Sequence, residues 1–395
     1  MKSLANITEN FVESVIREMT RICDARGGYN LAQGFPDFDA PQEIKQAAIK
    51  AIHDGHNQYP VTFGEPELRK AIAAKVWRYN CIRCAPETDI TVTCGATEAM
   101  IASLKAIVNP GDEIIVFEPF YENYGPDAIL SGATPRFVAL RPPGWQYDPE
   151  ELAAAFNRHT KAVIINTPNN PTGKVFSRKE LEEIAQLCLK WDCLAITDEI
   201  YEHILYDGEQ HVSIASLEGM GERTVTINSI SKTYSLTGWR VGWAIAPERI
   251  TSRIRKVHDF LTVGAPTPLQ HATAFALNLP ESYYEQLQAR YHRARNLLFE
   301  TLKEAGFEVS LPKGSYYLIA GTARLRERFG VQDDFSFSLK LIDLAGVATV
   351  PGSSFYAQPE KGKNQVRFTF CKKEETLEKV RTNLRRLVSE TSITP

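Results

Sequence analysis

The chain has 395 residues, 43% of them hydrophobic, and its 45 basic side chains nearly balance its 48 acidic ones. A chain of this length exceeds what one small core absorbs, so a large domain with a smaller one is expected. Because the charge is balanced and no basic run occurs, nucleic acid is not expected as a partner.

The beginning of the chain and its cysteines bear on its location in the cell. Residues 1–9 contain no continuous apolar stretch that would indicate a signal peptide, and no later run is apolar enough to span a bilayer. Seven cysteines, an odd number scattered along the chain, favour a reducing compartment. We therefore expect a cytoplasmic protein without a membrane partner. Cys81 and Cys84 lack the second pair that a metal site needs, so no metal is expected.

From residue 90 onwards, short β-rich runs alternate with longer segments of helical periodicity. Strands are predicted at 90–93, 113–117, 136–140, 162–165, 194–197, 225–227 and 241–245. Runs that are almost continuously apolar need cover on both faces. The sequence therefore predicts an α/β fold with a mostly parallel, seven-stranded sheet covered by helices.

Two of the predicted helices have clear signals. Asp148 is a typical N-cap, followed by Pro149 at the first helical position, and this helix should run to about Asn157. A second helical period covers Arg178 to Trp191.

After Pro280 the pattern changes to long charged helical segments and two further strands, at 314–319 and 365–370. This texture indicates a smaller α+β domain. We assign residues 41–295 to the large domain, 296–395 to the small C-terminal domain, and 1–40 to an N-terminal segment that packs with the small domain.

Ligands of open α/β sheets gather outside the carboxyl ends of the strands, and several polar groups fall at such ends here. The turn with Gly95, Ala96 and Thr97 follows a strand and opens a helix, whose free N–H groups can hold a phosphate. Plain packing of a small-residue turn is the alternative. Asn170 lies in the rigid, proline-rich turn 167–173, where an ordinary turn is the alternative.

Asp198 ends a predicted strand, where a buried carboxylate needs a partner that offsets its desolvation; capping of the next helix is the alternative. The densest polar stretch is 228–240, directly after another strand. In it, Lys232 could act as an amine nucleophile, while the Ser229 hydroxyl and the Arg240 guanidinium could bind a phosphate dianion. A solvated loop lysine is the alternative.

Four motifs, in this order and spacing, resemble those of the fold type I pyridoxal-phosphate (PLP) aminotransferases of class I and II. They are Asn170-Pro171-Thr172-Gly173, Asp198-Glu199-Ile200-Tyr201, Ser229-x-x-Lys232 and Gly238-Trp239-Arg240. The resemblance covers roughly residues 28–385 and is closest to the kynurenine, glutamine and methionine aminotransferases, which also act as cysteine-conjugate β-lyases. The segments that carry this closer match are 31–38, 255–258 and 367–373.

The resemblance implies a role for each residue around the PLP ring. Lys232 would hold the cofactor as a Schiff base and then move the proton between the substrate α-carbon and the cofactor. Asp198 would keep the pyridine nitrogen protonated. Asn170 and Tyr201 would hydrogen-bond the phenolic oxygen, and Tyr121 would stack on the ring.

The resemblance also implies how the phosphate and the substrate are bound. The residues expected at the phosphate are Gly95, Ala96, Thr97, Ser229 and Arg240. Tyr59 would reach the phosphate from a second subunit, which implies a homodimer with shared active sites. Arg367, on the polar side of a strand, would bind the substrate α-carboxylate with Asn170 and Gly34 beside it. By its pattern alone, Arg367 could also be an ordinary surface charge.

Two departures from the mammalian kynurenine enzymes concern the side-chain pocket. The segment 263–267 lacks the aromatic residue and the histidine that those enzymes place before Pro-Thr, and Thr97 replaces a tyrosine. Both changes remove rings, so aspartate, methionine, glutamine or aromatic donors all remain open.

The expected activity is reversible transfer of an amino group from an L-amino acid to a 2-oxo acid with ping-pong kinetics. Two alternatives share the resemblance. A carbon–sulfur β-lyase would use the same Lys232 and cofactor. A PLP-sensing regulator would need a DNA-binding module, and the roughly thirty residues before Leu31 are too few for one.

Overall fold

The computed structural model describes residues 4, 6–8 and 13–389, and its largest element is a seven-stranded sheet. The strands of the described residues are β1 (Tyr29–Asn30), β2 (Ile90–Thr93), β3 (Glu113–Glu118), β4 (Thr134–Ala139), β5 (Thr160–Asn166), β6 (Leu194–Asp198), β7 (Thr224–Ser229), β8 (Gly242–Ile245), β9 (Glu308–Val309), β10 (Tyr317–Gly321), β11 (Val347–Ala348), β12 (Val350–Pro351) and β13 (Gln365–Thr369). The main sheet has the order β2-β8-β7-β6-β5-β3-β4. Every neighbouring pair is parallel except the two that β8 makes, with β2 and with β7. The predicted mostly parallel sheet is confirmed.

Helices cover both faces of this sheet and make up much of the rest of the molecule. They are α1 (Val15–Ala25), α2 (Gln42–His53), α3 (Pro66–Asn80), α4 (Ala96–Ile107), α5 (Tyr124–Leu130), α6 (Pro149–Ala155), α7 (Arg178–Trp191), α8 (Glu248–Thr262), α9 (Thr267–Ala276), α10 (Glu281–Glu304), α11 (Ala323–Phe329), α12 (Asp334–Ala345) and α13 (Glu374–Ser389).

Alternate side chains of the central strand β5 enter two hydrophobic clusters, one on each face of the sheet. Val163 and Ile165 pack in one cluster with Leu181 of α7. Ala162 and Ile164 pack in the other, with residues of α4 and α8. Since both faces are covered, the strand is buried almost from end to end, which is why its sequence is a continuous apolar run.

The predicted helix signals are largely present in the structure. Asp148 caps α6 by accepting a hydrogen bond from the N–H of Glu150 at 2.8 Å. The helix ends at Ala155, short of the predicted Asn157, because the Asn157 amide donates to Glu113 at 2.6 Å and ties the chain to the start of β3. The second helix, α7, covers the predicted range.

The second part of the chain contains a four-stranded antiparallel sheet in the order β12-β13-β10-β9, packed with α10 to α13. β10 begins at Tyr317, later than predicted, because Ser315 has a left-handed backbone with φ of 56° that interrupts the strand. β1 pairs in parallel with β11, which links the chain near Tyr29 to this part of the molecule. The division of the chain near residue 295 stays a prediction, and α10 runs through that position.

Residues 1–3, 5 and 9–12 of the predicted N-terminal segment and 390–395 of the predicted small domain lie outside the described residues. All seven cysteines are free. In the ranges that the structure describes, no helix has both the length and the apolar character of a bilayer span.

Candidate active site

A cavity of about 370 Å³ opens at the carboxyl ends of the parallel strands. Of the residues predicted from the sequence, those that line it are Gly34, Ala96, Thr97, Tyr121, Asn170, Asp198, Tyr201, Ser229, Lys232, Arg240 and Arg367. Gly95 precedes the lining residues Ala96 and Thr97 and is the N-cap of α4. Tyr59 does not line the cavity; it lies on the surface and is 86% exposed.

The sheet topology brings chain-distant residues together at this edge. β5 ends at Asn166, β6 at Asp198 and β7 at Ser229, and the three strands are neighbours. The Asn166 amide donates to the main-chain oxygen of Asp198 at 3.0 Å. Its amide oxygen accepts the N–H of Asn170 at 2.7 Å, which fixes the turn that carries the Asn170 side chain.

Asp198 is a buried carboxyl with few partners. Its Oδ2 accepts from the Tyr124 hydroxyl at 2.8 Å, and its Oδ1 accepts from the N–H of Ile200 at 3.3 Å. The second contact lies in the turn that follows β6; because no helix begins there, it is not the helix cap that was the alternative for this residue. Burial raises the pKa of Asp198 to about 6, although both hydrogen bonds and the charge of Lys232 oppose the change. A cationic group in the cavity would therefore be favoured beside this carboxyl.

Lys232 follows β7 in a turn that brings its side chain to the cavity. In the described part of the chain, its amine donates one long hydrogen bond, to the Gly34 carbonyl oxygen at 3.4 Å, and lies 5.7 Å from the centre of the Tyr201 ring. Burial lowers the pKa of this amine to about 8. Near neutral pH, some of the molecules therefore carry a neutral amine, the form that attacks a carbonyl group.

A cradle for an anion forms where Arg240 meets the start of α4. The Arg240 guanidinium packs so closely on Gly95 that a Cβ at that glycine would lie 2.4 Å from Nη2. Gly95 also has φ of 88°, which disfavours any other residue. Ala96, Thr97 and Ser229 add N–H groups of the first helical turn and hydroxyls to the same wall. Such a cradle suits a dianion such as a phosphate ester.

Arg367 is a buried guanidinium, 1% exposed, whose contacts are with neutral groups. Its Nη1 donates to Asn170 Oδ1 at 2.9 Å and its Nη2 to the Ala32 carbonyl oxygen at 2.5 Å. Its Nε has no partner among residues that the structure describes. The guanidinium also lies 4.2 Å from the centre of the Tyr317 ring. A buried cation in these surroundings favours an anionic ligand, and a carboxylate matches the shape of its two-donor fork.

Some residues of the site were missed in the sequence. Tyr124, the partner of Asp198, is the first residue of α5, and no sequence pattern set it apart from other tyrosines. Arg17 of α1 and Tyr317 of β10 line the cavity from elements that are far along the chain. No local pattern indicated that they would reach it.

The groups that line the cavity fit PLP. An amine with a lowered pKa suits its aldehyde, a buried carboxyl that favours a cation suits its ring nitrogen, and the cradle suits its phosphate. The sheet order, with the cavity at its carboxyl edge, defines a PLP enzyme of fold type I. Residues 26–384 match the family of aminotransferases class I and II, and the chain belongs to that family. It is therefore a PLP-dependent aminotransferase.

Proteins similar to this chain are aminotransferases that are named for different substrates. Kynurenine–oxoglutarate transaminase of Dictyostelium discoideum is 37% identical, over 96% of this chain and 95% of that protein. Methionine aminotransferase of Escherichia coli K12 is 37% identical, over 95% of this chain and 96% of that protein. The solved structure of N-succinyldiaminopimelate aminotransferase from Mycobacterium tuberculosis has a TM-score of 0.93 at 37% identity and covers 98% of this chain and 100% of that one.

Proposed function

We propose that this aminotransferase moves the amino group of an L-amino acid, of the aromatic, methionine, glutamine or aspartate type, to a 2-oxo acid by a ping-pong mechanism. The observation that carries the proposal is the buried Arg367 guanidinium, which has neutral partners and lines the same cavity as Lys232. Its fork would orient the substrate α-carboxylate and so direct the amino-bearing carbon toward the amine of Lys232.

PLP, when bound, supplies an aldehyde that takes up the amino group and a ring that withdraws electrons from the substrate α-carbon. Lys232 would hold the aldehyde and then carry the α-proton on Nζ. Asp198 would hold a proton at the ring nitrogen, and the hydrogen bond from Tyr124 would orient its carboxyl. Asn170 and Tyr201 would hydrogen-bond the phenolic oxygen.

The remaining site residues would fix the position of the cofactor and the substrate. Tyr121 would pack on the ring face and exclude water from it. The residues that would hold the phosphate are Gly95, Ala96, Thr97, Ser229 and Arg240. Gly34 would leave room in the substrate pocket, because a Cβ at this position would lie 1.7 Å from the hydroxyl oxygen of Tyr317.

The cavity lining suits more than one class of donor. Ile16, Phe35 and Tyr121 contribute apolar or aromatic surface, whereas Arg17 contributes a positive charge. The names of the relatives, which refer to kynurenine, methionine and N-succinyldiaminopimelate, support the same range of aromatic, sulfur-containing and acidic side chains.

A panel of amino-acid donors, each assayed with several 2-oxo acids, tests the proposed function. Turnover should require both substrates, and Lys232→Ala should lower it by about 10⁴-fold, because proton transfer and cofactor attachment are lost together. Lys179→Ala is the control, since that side chain is 86% exposed. Release of pyruvate and ammonia without any 2-oxo acid would instead indicate carbon–sulfur elimination. Tight PLP binding without turnover of any amino acid would indicate a PLP-sensing regulator.

We also propose that the enzyme is a cytoplasmic homodimer. Phe260 and Tyr59 are 90% and 86% exposed, and aromatic surface of this kind is typical of contacts between proteins. The resemblance assigns Tyr59 to the phosphate site of a second subunit, which agrees with its absence from the cavity of its own chain. The cytoplasmic location is supported by the seven free cysteines, which favour a reducing compartment.

A further inference from the structure

A network of polar side chains lies behind the strand ends that carry Asp198 and Ser229. Its members are Lys75, Tyr79, Asn80, Glu199, Glu202, His211, Ser213 and Asn228. These residues do not line the active-site cavity. At the end of β6 and in the turn after it, neighbouring side chains point to opposite sides. Asp198 and Tyr201 face the cavity, whereas Glu199 and Glu202 face the network.

The centre of the network is an ion pair between Lys75 and Glu202, whose side chains are each 3% exposed. Burial is the largest single influence and raises the pKa of Glu202, but the charge and hydrogen bond of Lys75, together with His203 and His211, outweigh it and lower the pKa to about 2. Lys75 also donates to Asn80 Oδ1 at 2.9 Å, and the Asn80 amide donates to Glu202 Oε2 at 2.6 Å. Glu202 is thus ionised at neutral pH and held at both carboxylate oxygens.

Asn228 connects this ion pair to the active-site strands. Its amide nitrogen donates to Glu202 Oε1 at 2.5 Å and to the main-chain oxygen of Glu199 at 3.2 Å. Its amide oxygen accepts the N–H of Ser229 at 2.7 Å. Because Glu199 directly follows Asp198, this one side chain spans the ends of β6 and β7.

A metal site is the other reading of this network. The ligand atoms of Glu199, Glu202 and His211 lie within 4.8 Å of one another, which a metal ion could use. Protein groups already occupy these oxygens: Glu199 contacts Ser213 at 2.7 Å and His211 at 2.9 Å, and Glu202 contacts Lys75. The ammonium of Lys75 is therefore the cation of this network.

We propose that Lys75 is a positioning residue for the PLP site: by pairing with Glu202 it holds Asn228, and Asn228 sets the positions of Ser229 and Asp198. This inference rests on the cofactor site proposed above, with Ser229 at the phosphate and Asp198 at the ring nitrogen. An asparagine amide is fixed in one orientation only when both of its ends are bonded. Loss of the ion pair therefore displaces groups that bind the cofactor, although Lys75 does not touch the cavity.

The test compares Lys75→Met and Glu202→Gln with Lys174→Met. Lys174 is a matched control, because it is also a buried lysine, 2% exposed, that pairs with a glutamate at 2.6 Å. For each apoprotein, the PLP dissociation constant, the visible absorption of the bound cofactor and the thermal midpoint are measured. We expect the dissociation constant to rise about tenfold in the first two variants, because the groups that contact PLP lose the side chains that orient them, and to be unchanged in the control.

The possible outcomes distinguish a role of Lys75 and Glu202 in positioning the cofactor-binding groups from a role in protein stability alone. If Lys75→Met and Glu202→Gln lower the thermal midpoint as the control does but bind PLP like the wild type, the proposal is overturned. If Lys75→Met does not fold, Glu202→Gln decides, because it keeps the size of the side chain. The double variant should bind PLP no more weakly than the weaker-binding single variant, since both changes break the same chain of hydrogen bonds. Additive increases in the PLP dissociation constant would overturn the proposal that Lys75 acts through Glu202. A wild-type apoprotein that does not bind PLP would overturn the proposed function itself.

Discussion

At Lys232 and Asp198, burial acts on two opposite charges in one cavity. It lowers the pKa of the amine to about 8 and raises that of the carboxyl to about 6, because both charged forms lose hydration. Both pKa values therefore lie near neutral pH, so a bound ligand can change the protonation state of either residue. Groups whose protonation state changes this readily are suited to a site of proton transfer.

Arg367→Lys tests the carboxylate site at the scale of one residue. Lysine keeps the charge but loses the two-donor fork, so kcat/KM for every amino-acid donor should fall by roughly 10- to 100-fold, as for one charged hydrogen bond. Steady-state kinetics at saturating 2-oxo acid measure the effect. The PLP dissociation constant should change far less. A variant with wild-type kcat/KM would show that the substrate α-carboxylate binds elsewhere.

Asp127 lines the same cavity, is 6% exposed, and has an Oδ2 without a partner in the described ranges. Burial raises its pKa from 3.8 to about 7. Between these values the folded protein binds a proton that the unfolded chain releases, so the free energy of unfolding falls as the pH rises.

Asp127→Asn should remove this loss of stability. The thermal midpoint of the apo variant should exceed that of the wild-type apoprotein at pH 8, and this difference should shrink toward pH 5. The corresponding difference in the free energy of unfolding is at most about 4 kcal/mol. Calorimetry across that pH range measures it. An advantage that is the same at every pH would contradict the raised pKa of Asp127.

At the scale of single elements, α7 shows what local chemistry contributes. Ser177 Oγ accepts the N–H of Glu180 at 3.3 Å, and Glu180 Oε2 accepts the N–H of Ser177 at 2.8 Å, which forms a capping box. The apolar face of the helix, including Leu181 and Ile184, then packs on the sheet beside β5. The helical period alone predicted both ends of this helix, and the capping box in the structure agrees with its start.

Ser177→Ala should lower the free energy of unfolding by about 1 kcal/mol, because the first-turn N–H of Glu180 loses its acceptor. Urea denaturation followed by circular dichroism measures the change. Ser177→Asp keeps an acceptor and should restore most of the stability. Equal losses in the two variants would show that the cap is not the cause.

At the scale of the whole molecule, a patch of apolar side chains is left uncovered on the single chain. Phe260 and Leu261 of α8 are 90% and 45% exposed, and Val263 just beyond the helix is 44% exposed. A second copy of the chain would cover such a patch, and a symmetric dimer is the commonest way to do so. In the proposed dimer, the partner subunit's Tyr59 completes the phosphate site.

Phe260→Asp tests the dimer, because it introduces a charge into this apolar patch. Sedimentation velocity should show a shift toward monomers, and turnover should fall with the fraction of dimer because the shared site is incomplete in a monomer. Leu311→Asp, at an exposed position in the second part of the chain, is the control. A Phe260→Asp protein that sediments and turns over like the wild type would place the interface elsewhere.

The sequence by itself determined the elements and most of the candidate site. The strands were predictable because burial on both faces requires continuous apolar runs, and Asp198 and Ser229 were found because polar residues directly follow such runs. The end of α6 was predicted too late, because the contact of Asn157 with Glu113 ends the helix early. The start of β10 was predicted too early, because the left-handed backbone of Ser315 delays the strand.

Only the tertiary structure decided which distant side chains meet. The hydrogen bond from Tyr124 to Asp198 and the pairing of Lys75 with Glu202 join residues 74 and 127 positions apart, and Arg17 reaches the cavity from an early helix. Such contacts depend on strand order and on the packing of helices against the sheet. Local periodicity and capping record only which face of an element is buried and where the element begins, so they contain no information about these partners.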